Sequence, residues 1–293
     1  MERGIRERLI HLHECPGIGW KTLAKMLRYD ATLESIYTLS PQELMHQFRI
    51  PRHRIPSLYQ ALHSPYELDS WYKKRGIDVI TYFDPEYPRL LKEIYQPPWV
   101  LYCKGDISLL QERRQLAVVG TRRPTYYGIK TTRKIVSELV ASQIVITSGL
   151  ARGIDREAHV SAMKTGGRTI AVIAGGFDHI YPPEHKELAR TIARKHLLIS
   201  EYPPWRRPEK YQFPARNRII CGLNYGTLIV EARGRSGSLI TASLAVQEGR
   251  EVFAVPGPVD REESRGTNRL IQEGATPVTS ASDILSELEP LLA

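Results

Sequence analysis

Two periodicities divide the chain. In residues 1–63 apolar positions recur at helical spacing: Ile5, Leu9, Ile10 and Leu12 in one segment, Leu23, Ala24 and Leu27 in the next. Ser40-Pro41-Gln42-Glu43 reads as a helix start, with Ser40 as N-cap, Pro41 at the first helical position and Glu43 three residues past the cap. Pro51, Pro56 and Pro65 then interrupt the pattern and place a domain boundary near Ser64. Beyond it come short β-branched runs that end in Gly, Asp or Ser: GIDVITYFD, WVLYCKGD, LAVVGTR, QIVITSGL, RTIAVIAGG, HLLISEY, GTLIVEA and EVFAVPG. Several are almost continuously apolar, as strands covered on both faces must be. Helical segments at 130–141, 154–165, 184–195 and 238–248 separate the later runs. This alternation predicts βαβ units and an α/β domain with a doubly wound, mostly parallel sheet over 64–293, behind a small all-α domain over 1–63. The first two strands lack an amphipathic helix between them and are read as an extension of the core sheet.

Composition narrows the partners only a little. The 293 residues carry 41 Lys and Arg against 32 Asp and Glu, a net charge of +9, which favours a polyanion if the charge is clustered. Cys15, Cys103 and Cys221 stand singly without metal spacing, so they are expected to be reduced structural thiols. No secretory leader and no apolar run of membrane-spanning length occurs, so a cytoplasmic location without membrane insertion is expected.

The chemistry is expected at the strand ends. In open parallel sheets ligands bind beyond the carboxyl ends of the strands. VVGTRRPT puts Gly120, Thr121 and Arg122 past one strand, and VITSGLARGID puts Ser148 and Gly149 past the next. AVIAGGFDHIYPPEH adds Gly175 and Gly176; IVEARGRSGSLIT adds Gly237 and Ser238 at a helix start. Glycine lets backbone approach a ligand, and a helix N-terminus offers unpaired N–H groups to an anion. Arg122, Arg123, Arg233 and Arg235 supply cations on the same edge. Neither a P-loop nor a dinucleotide fingerprint is present, and no cofactor or metal is expected.

Residues 203–218, PPWRRPEKYQFPARNR, read as one loop and hold Arg206, Arg207, Lys210, Arg216 and Arg218 against one acid, Glu209, with Trp205, Tyr211 and Phe213 among them. Cations that track phosphates beside rings that stack on exposed bases suit single-stranded DNA. The alternative is a proline-stiffened loop whose rings anchor it and whose arginines stay solvated. In the N-terminal part, CPGIGWKTLAKML carries a Gly-x-Gly turn between helices, either a helix-hairpin-helix phosphate contact or a turn that only packs.

GTRRPTYYG, TSGLARGID, GGFDHIYPPEH, SEYPP, FPARNRII, EARGRSGSLITA and FAVPG occur in this order. Together they resemble the DNA-processing protein A (DprA/Smf) family over residues 66–278. The resemblance implies an extended Rossmann-like domain behind a SAM-like or helix-hairpin-helix domain. It also implies a non-catalytic recombination mediator for natural transformation, one that protects incoming single-stranded DNA and loads RecA recombinase onto it. Single-strand-binding protein is a further implied partner. The implied DNA contacts are Gly120, Thr121, Arg122, Lys210, Phe213, Arg216, Asn217 and Arg218. The implied homodimer forms between Leu270 and Val278, and RecA contact falls on part of 238–248. Some members add a winged-helix domain after the core; none is expected here.

A rival reading is a nucleotide-processing enzyme. YGTLIVEARGRSGS loosely resembles the glycine-rich loop of lysine-decarboxylase-like phosphoribohydrolases, with Glu231 and Arg233 or Arg122 as the acid and arginine. The family's double glycine is replaced by Asn224-Tyr225. The plainer alternative is that Glu231 orients an arginine of the DNA site through a two-pronged ion pair. A third reading is a duplex-binding architectural protein that uses the turn at Gly17 and Gly19.

Overall fold

A computed structural model describes residues 4–64 and 68–292. Pro65 and Tyr66, a predicted breaker and the start of the resemblance, lie outside the described residues. The chain divides into two compact units: Met1–Tyr87 with Pro98–Tyr102, and Pro88–Pro97 with Cys103–Ala293.

The first unit contains helices α1 (Ile5–Glu14), α2 (Trp20–Tyr29), α3 (Pro41–Phe48), α4 (Ile55–His63) and α5 (Leu68–Lys74), then strand β1 (Asp78–Thr81). Helices α1 to α4 occupy the stretch read as all-α, and the unit continues past it through α5 and β1. The expected helix start at Ser40 forms: the Ser40 side chain accepts from Glu43 N–H, and the Glu43 carboxylate accepts from Ser40 N–H at 2.7 Å. Leu9, Leu12, Leu23, Met26, Ile36, Leu44 and Leu58 are buried and make the small core.

The second unit begins with the short helix α6 (Arg89–Lys92); strand β2 (Val100–Gly105) runs from the first unit into the second. There follow β3 (Gln115–Val119), α7 (Tyr126–Ala141), β4 (Val145–Ser148), α8 (Ile154–Lys164), β5 (Thr169–Ile173), α9 (Lys186–Lys195) and β6 (Leu197–Ser200). The second half is α10 (Gln212–Gly222), β7 (Gly226–Ile229), α11 (Gly237–Gln247), β8 (Glu251–Ala254), α12 (Arg265–Gln272), β9 (Thr276–Pro277) and α13 (Ala281–Leu292). From β3 to β9 the strands lie side by side in the order β6-β5-β4-β3-β7-β8-β9, and each neighbouring pair is parallel, with Ala117 opposite both Thr147 and Thr227.

The continuous apolar runs have the physical consequence expected of them. Leu116 and Val118 join a core with Ile135, Val136 and Leu139 of α7, Ile154 and Ala158 of α8, and Ile284 and Leu288 of α13. The alternate residues Ala117 and Val119 are buried as well, so β3 is covered on both faces. In α7, Gly128, Thr132, Ile135, Val136 and Leu139 form the buried stripe, and the Thr125 side chain caps the start by accepting from Gly128 N–H. The strand order turns back on itself between β3 and β7. Their carboxyl ends therefore diverge into loops on opposite sides of the sheet, and the crevice between those loops is the expected ligand position.

Residues 203–218 do not form one loop. Residues 203–211 are irregular, but Phe213, Arg216, Asn217 and Arg218 stand on α10. Pro214 falls in the first turn of that helix, where its missing N–H is no loss, so the proline that suggested a loop opens a helix instead.

Candidate nucleic-acid interface

The loop after β3 is fixed by its neighbours. Thr121 N–H donates to the Glu231 carbonyl at 2.8 Å, and the Thr121 carbonyl accepts from Ile154 N–H at 3.2 Å. At Gly153, which precedes α8 with φ 75°, a Cβ would lie 2.2 Å from the Thr121 carbonyl oxygen, so only glycine fits. Arg122 is thereby projected from a backbone held on both sides; it is exposed and, among the described residues, no acid pairs with it.

A cavity of about 450 Å³ opens at the ends of β3 and β7. Of the residues expected to bind DNA, Gly120, Thr121, Arg122, Phe213, Arg216, Asn217, Gly237 and Ser238 line it. Gly149 lines a smaller adjoining pocket that shares Arg122, Phe213 and Arg216 with it. Three expected residues lie elsewhere. Ser148 is buried and its hydroxyl donates to the Val118 carbonyl at 2.7 Å. Arg218 is nearly buried and donates to Glu201 at 2.6 Å. Lys210 is exposed in the turn before α10 and lines neither cavity.

The floor of the cavity holds a buried arginine, Arg216, with the buried acid Asp155 near it. Arg216 Nη1 donates to the carbonyls of Gly149 and Val172, and its Nε donates to Asn217 Oδ1 at 3.1 Å. Burial lowers the guanidinium to about 10, with the neighbouring Asp155 opposing that shift, so Arg216 stays cationic at neutral pH. Burial likewise pushes the Asp155 carboxyl up, against the pull of Arg216; its Oδ2 accepts from Gly149 N–H at 3.2 Å. A Cβ on Gly149 would lie 2.3 Å from Arg216 Nη1, so the guanidinium reaches the backbone because that side chain is missing. With its donors aimed into the protein, Arg216 contributes positive potential to the cavity and shapes the loop after β4.

The other wall is the loop after β7. Arg233 pairs with Glu263 at 2.8 Å and with Glu262 at 3.4 Å, whereas Arg235 is exposed without an acid partner among the described residues. Helix α11 begins with no side-chain cap and no acid in its first turn, and Ser238 Oγ lies 2.9 Å from Ser236 Oγ. Its first N–H groups can thus serve an anion. On the facing side the Phe213 ring meets Tyr181 edge to face, centroids 5.3 Å apart, and half of Tyr181 is exposed. The arrangement offers two free cations, an open helix start and an aromatic pair around one space, which can hold a phosphate and the base attached to it.

Asp155 and Tyr181 are the site residues that sequence reasoning missed. Tyr181 lies inside the GGFDHIYPPEH string, but no local pattern shows that its ring reaches Phe213, 32 positions later. The segment 203–211 is held against the turn after β5, where Gly176 N–H donates to the Arg206 carbonyl at 2.8 Å and Asp178 N–H to the Pro204 carbonyl at 3.0 Å. Trp205 and Tyr211 are about half exposed on it, and the Phe213 ring that follows packs on Tyr181.

Glu231 corrects an expectation. Among the described residues it pairs with no arginine: its carboxylate accepts from the backbone N–H and hydroxyl of Thr125, and it is buried under α7 rather than lining the cavity. Arg233 is drawn away by two other carboxylates, which local spacing could not reveal. Among the described residues there is no cluster of His, Cys, Asp or Glu able to hold a metal, and no helix long and apolar enough to cross a membrane. The three cysteines are buried, and burial raises the Cys15 and Cys221 thiols to about 12.

Against this geometry the relatives can be placed. A family model described as DNA recombination-mediator protein A matches residues 78–289. The chain is 49% identical over 217 residues to the DNA processing protein DprA of Bacillus subtilis, covering 74% of this chain and 73% of that protein. It is 39% identical over 277 residues to the protein Smf of a Synechocystis strain, covering 93% and 70%. Among solved structures, DprA from Streptococcus pneumoniae superposes with a TM-score of 0.83 at 37% identity, covering 98% of this chain and 99% of that one. DprA from Helicobacter pylori, described for its single-stranded DNA binding mode, superposes with a TM-score of 0.66 at 32% identity, covering 73% and 96%.

Proposed function

This chain belongs to the DNA recombination-mediator protein A (DprA/Smf) family, and from that membership and the strand-end cavity we propose that it binds single-stranded DNA as a recombination mediator. In this reading it protects incoming strands during natural transformation and loads RecA onto them. The observation that carries the reading is the convergence of Arg122, Arg235, the uncapped start of α11 and the Phe213 ring on one cavity. Phosphates on the cations and helix start, with a base against the ring, would use each group for what its chemistry allows. The single-stranded DNA binding described for the H. pylori relative supports it.

The finer parts of the reading are these. The protein acts in the cytoplasm as a homodimer through 270–278, and part of 238–248 receives RecA. Coated strands still carrying single-strand-binding protein are substrates. Lys210 belongs to the outer path of the strand, Arg218 holds Glu201 behind it rather than touching DNA, and the DNA-binding domain is 64–293. The role is non-catalytic: Glu231, the acid that a base-releasing enzyme would need, is engaged by Thr125 and faces away from the cavity.

The test is RecA filament formation on single-stranded DNA coated with single-strand-binding protein, followed as DNA-dependent ATP hydrolysis. The wild-type chain should shorten the lag and Arg122→Ala should not. A lag identical with and without wild-type chain would contradict the mediator reading.

A further inference from the structure

Within the first unit, residues 15–64 carry six lysines and arginines against three acids. All three acids are already engaged, two in local structure and one with Arg8. The Asp30 carboxylate accepts from the N–H and hydroxyl of both Thr32 and Ser35, Glu34 pairs with Arg8 at 3.8 Å, and Glu43 closes the box with Ser40. Among the described residues none of the six cations, Lys21, Lys25, Arg28, Arg49, Arg52 and Arg54, pairs with an acid.

These cations converge. Lys21, Lys25 and Arg28 recur at i, i+4 and i+7 on α2, a helix without an acid, and share the face opposite the buried Leu23 and Met26. Lys21 and Arg28 are exposed and Lys25 half-buried; Arg49, Arg52 and Arg54 are all exposed. Contacts at both ends of α2 bring the second set alongside the first. At its start the stem of Arg54 lies over the Gly17 turn, where a Cβ on Gly17 would meet Arg54 Cδ at 3.2 Å. At its end the Tyr29 ring meets Phe48 edge on, centroids 5.7 Å apart, and Arg49 follows Phe48 at the close of α3.

We propose that this face of the first unit binds double-stranded DNA through its phosphates, without reading sequence. The rings beside the cations are used in packing: Trp20 stacks on Trp99 with centroids 5.4 Å apart, and Tyr29 leans on Phe48. A single strand gains much of its affinity from stacking on successive free rings; here Trp20 is already stacked and only Tyr29, about half exposed, is open beside the cations. A duplex presents phosphates alone on its outside, at one charge per ~1.7 Å of axis, and that density suits a patch made only of cations. The stripe from Lys21 to Arg28 is about 10 Å long, so it meets more than one phosphate. The turn at Gly17 and Gly19 lies between the two sets, which gives the hairpin motif its place.

The proposal does not rest on the cavity of the second unit, and two probes keep them apart: oligothymidylate reports on the cavity and a blunt duplex on this face. With the full chain, fluorescence anisotropy of each DNA is measured across a salt series. The wild type should bind the duplex. The triple variant Lys21→Glu, Lys25→Glu, Arg28→Glu, and separately the double variant Arg49→Glu, Arg52→Glu, should each weaken duplex binding at least about tenfold. Each should also reduce the slope of log affinity against log salt by ~0.9 for every phosphate no longer neutralised. Oligothymidylate affinity should stay within about twofold, because its stacking and phosphate contacts lie elsewhere. The thermal transition identifies a variant that fails to fold, and the other variant then decides. No duplex binding by the wild type, unchanged duplex affinity in a folded variant, or equal weakening for both DNAs would overturn the proposal. The first two results would leave an acidic protein surface as the occupant, and the third a single strand.

Discussion

Glu231 accepts hydrogen bonds from both the backbone N–H of Thr125, at 2.9 Å, and its hydroxyl, at 2.5 Å. The Thr125 hydroxyl oxygen in turn accepts from Gly128 N–H and caps α7, and a Cβ on Gly128 would lie 2.3 Å from Glu231 Oε2. An acid beyond the end of β7 thus pins the start of the helix that follows β3. Glu231→Gln replaces one acceptor oxygen with a donor and leaves one of these buried groups unpaired. It should lower stability by about 1–3 kcal/mol in urea unfolding. Pure wild-type protein should release no base from nucleoside monophosphates; release that Glu231→Gln abolishes would restore the enzymatic reading.

Arg122→Ala should weaken single-stranded DNA binding regardless of sequence. Removing one phosphate partner should flatten the salt dependence by ~0.7 in the slope of log affinity against log salt. Anisotropy titrations with oligothymidylate and a mixed sequence check both points, and an unchanged slope would remove Arg122 from the phosphate path. Stability should hardly change, because the side chain is exposed and without an acid partner.

Phe213→Ala should cost about 1–3 kcal/mol of binding energy if a base stacks in the aromatic pair. Since the ring also rests on Tyr181, the melting temperature should fall as well. Intact affinity with a lowered melting temperature would reduce Phe213 to an anchor of α10.

His159 makes stability depend on acidity. Its Nδ1 lies 2.7 Å from Thr169 Oγ1, which spends its own proton on the Ile146 carbonyl, so Nδ1 carries the hydrogen. Nε2 has no partner among the described residues, and burial first, then the nearby Arg216, His185 and His196, hold the ring down to about 3. The folded state therefore refuses a proton that the unfolded state accepts below ~6.5, and stability is lost as pH falls from there toward 3. Between pH 7 and 4.5 this group should cost about 2–3 kcal/mol. His159→Asn keeps a donor toward Thr169 and should show a shallower loss in urea unfolding at the two pH values. An unchanged difference would assign the acid sensitivity elsewhere.

The parallel sheet could be read along the chain because its central strands, β3 to β7, are buried on both faces and so written as apolar runs. β3, β4, β5 and β6 needed no tertiary information. The strand ends were legible for the same reason: glycine and arginine follow the runs directly at Gly120 and Arg122. What could not be read is where a long side chain turns. Arg122, Arg216, Arg218 and Arg233 look alike in the sequence, yet one is free, one is buried on carbonyls and two are spent on acids. Their partners lie 17 to 67 positions away, beyond the reach of any local pattern. Pro214 misled by its usual meaning, since a proline in a first helical turn looks locally like a loop.

A crystal structure with a short oligothymidylate tests the central claim most directly. It should place a phosphate between Arg122, Arg235 and the start of α11, with the adjoining base against Phe213. Oligonucleotide bound elsewhere on the second unit, with this cavity empty, would contradict it.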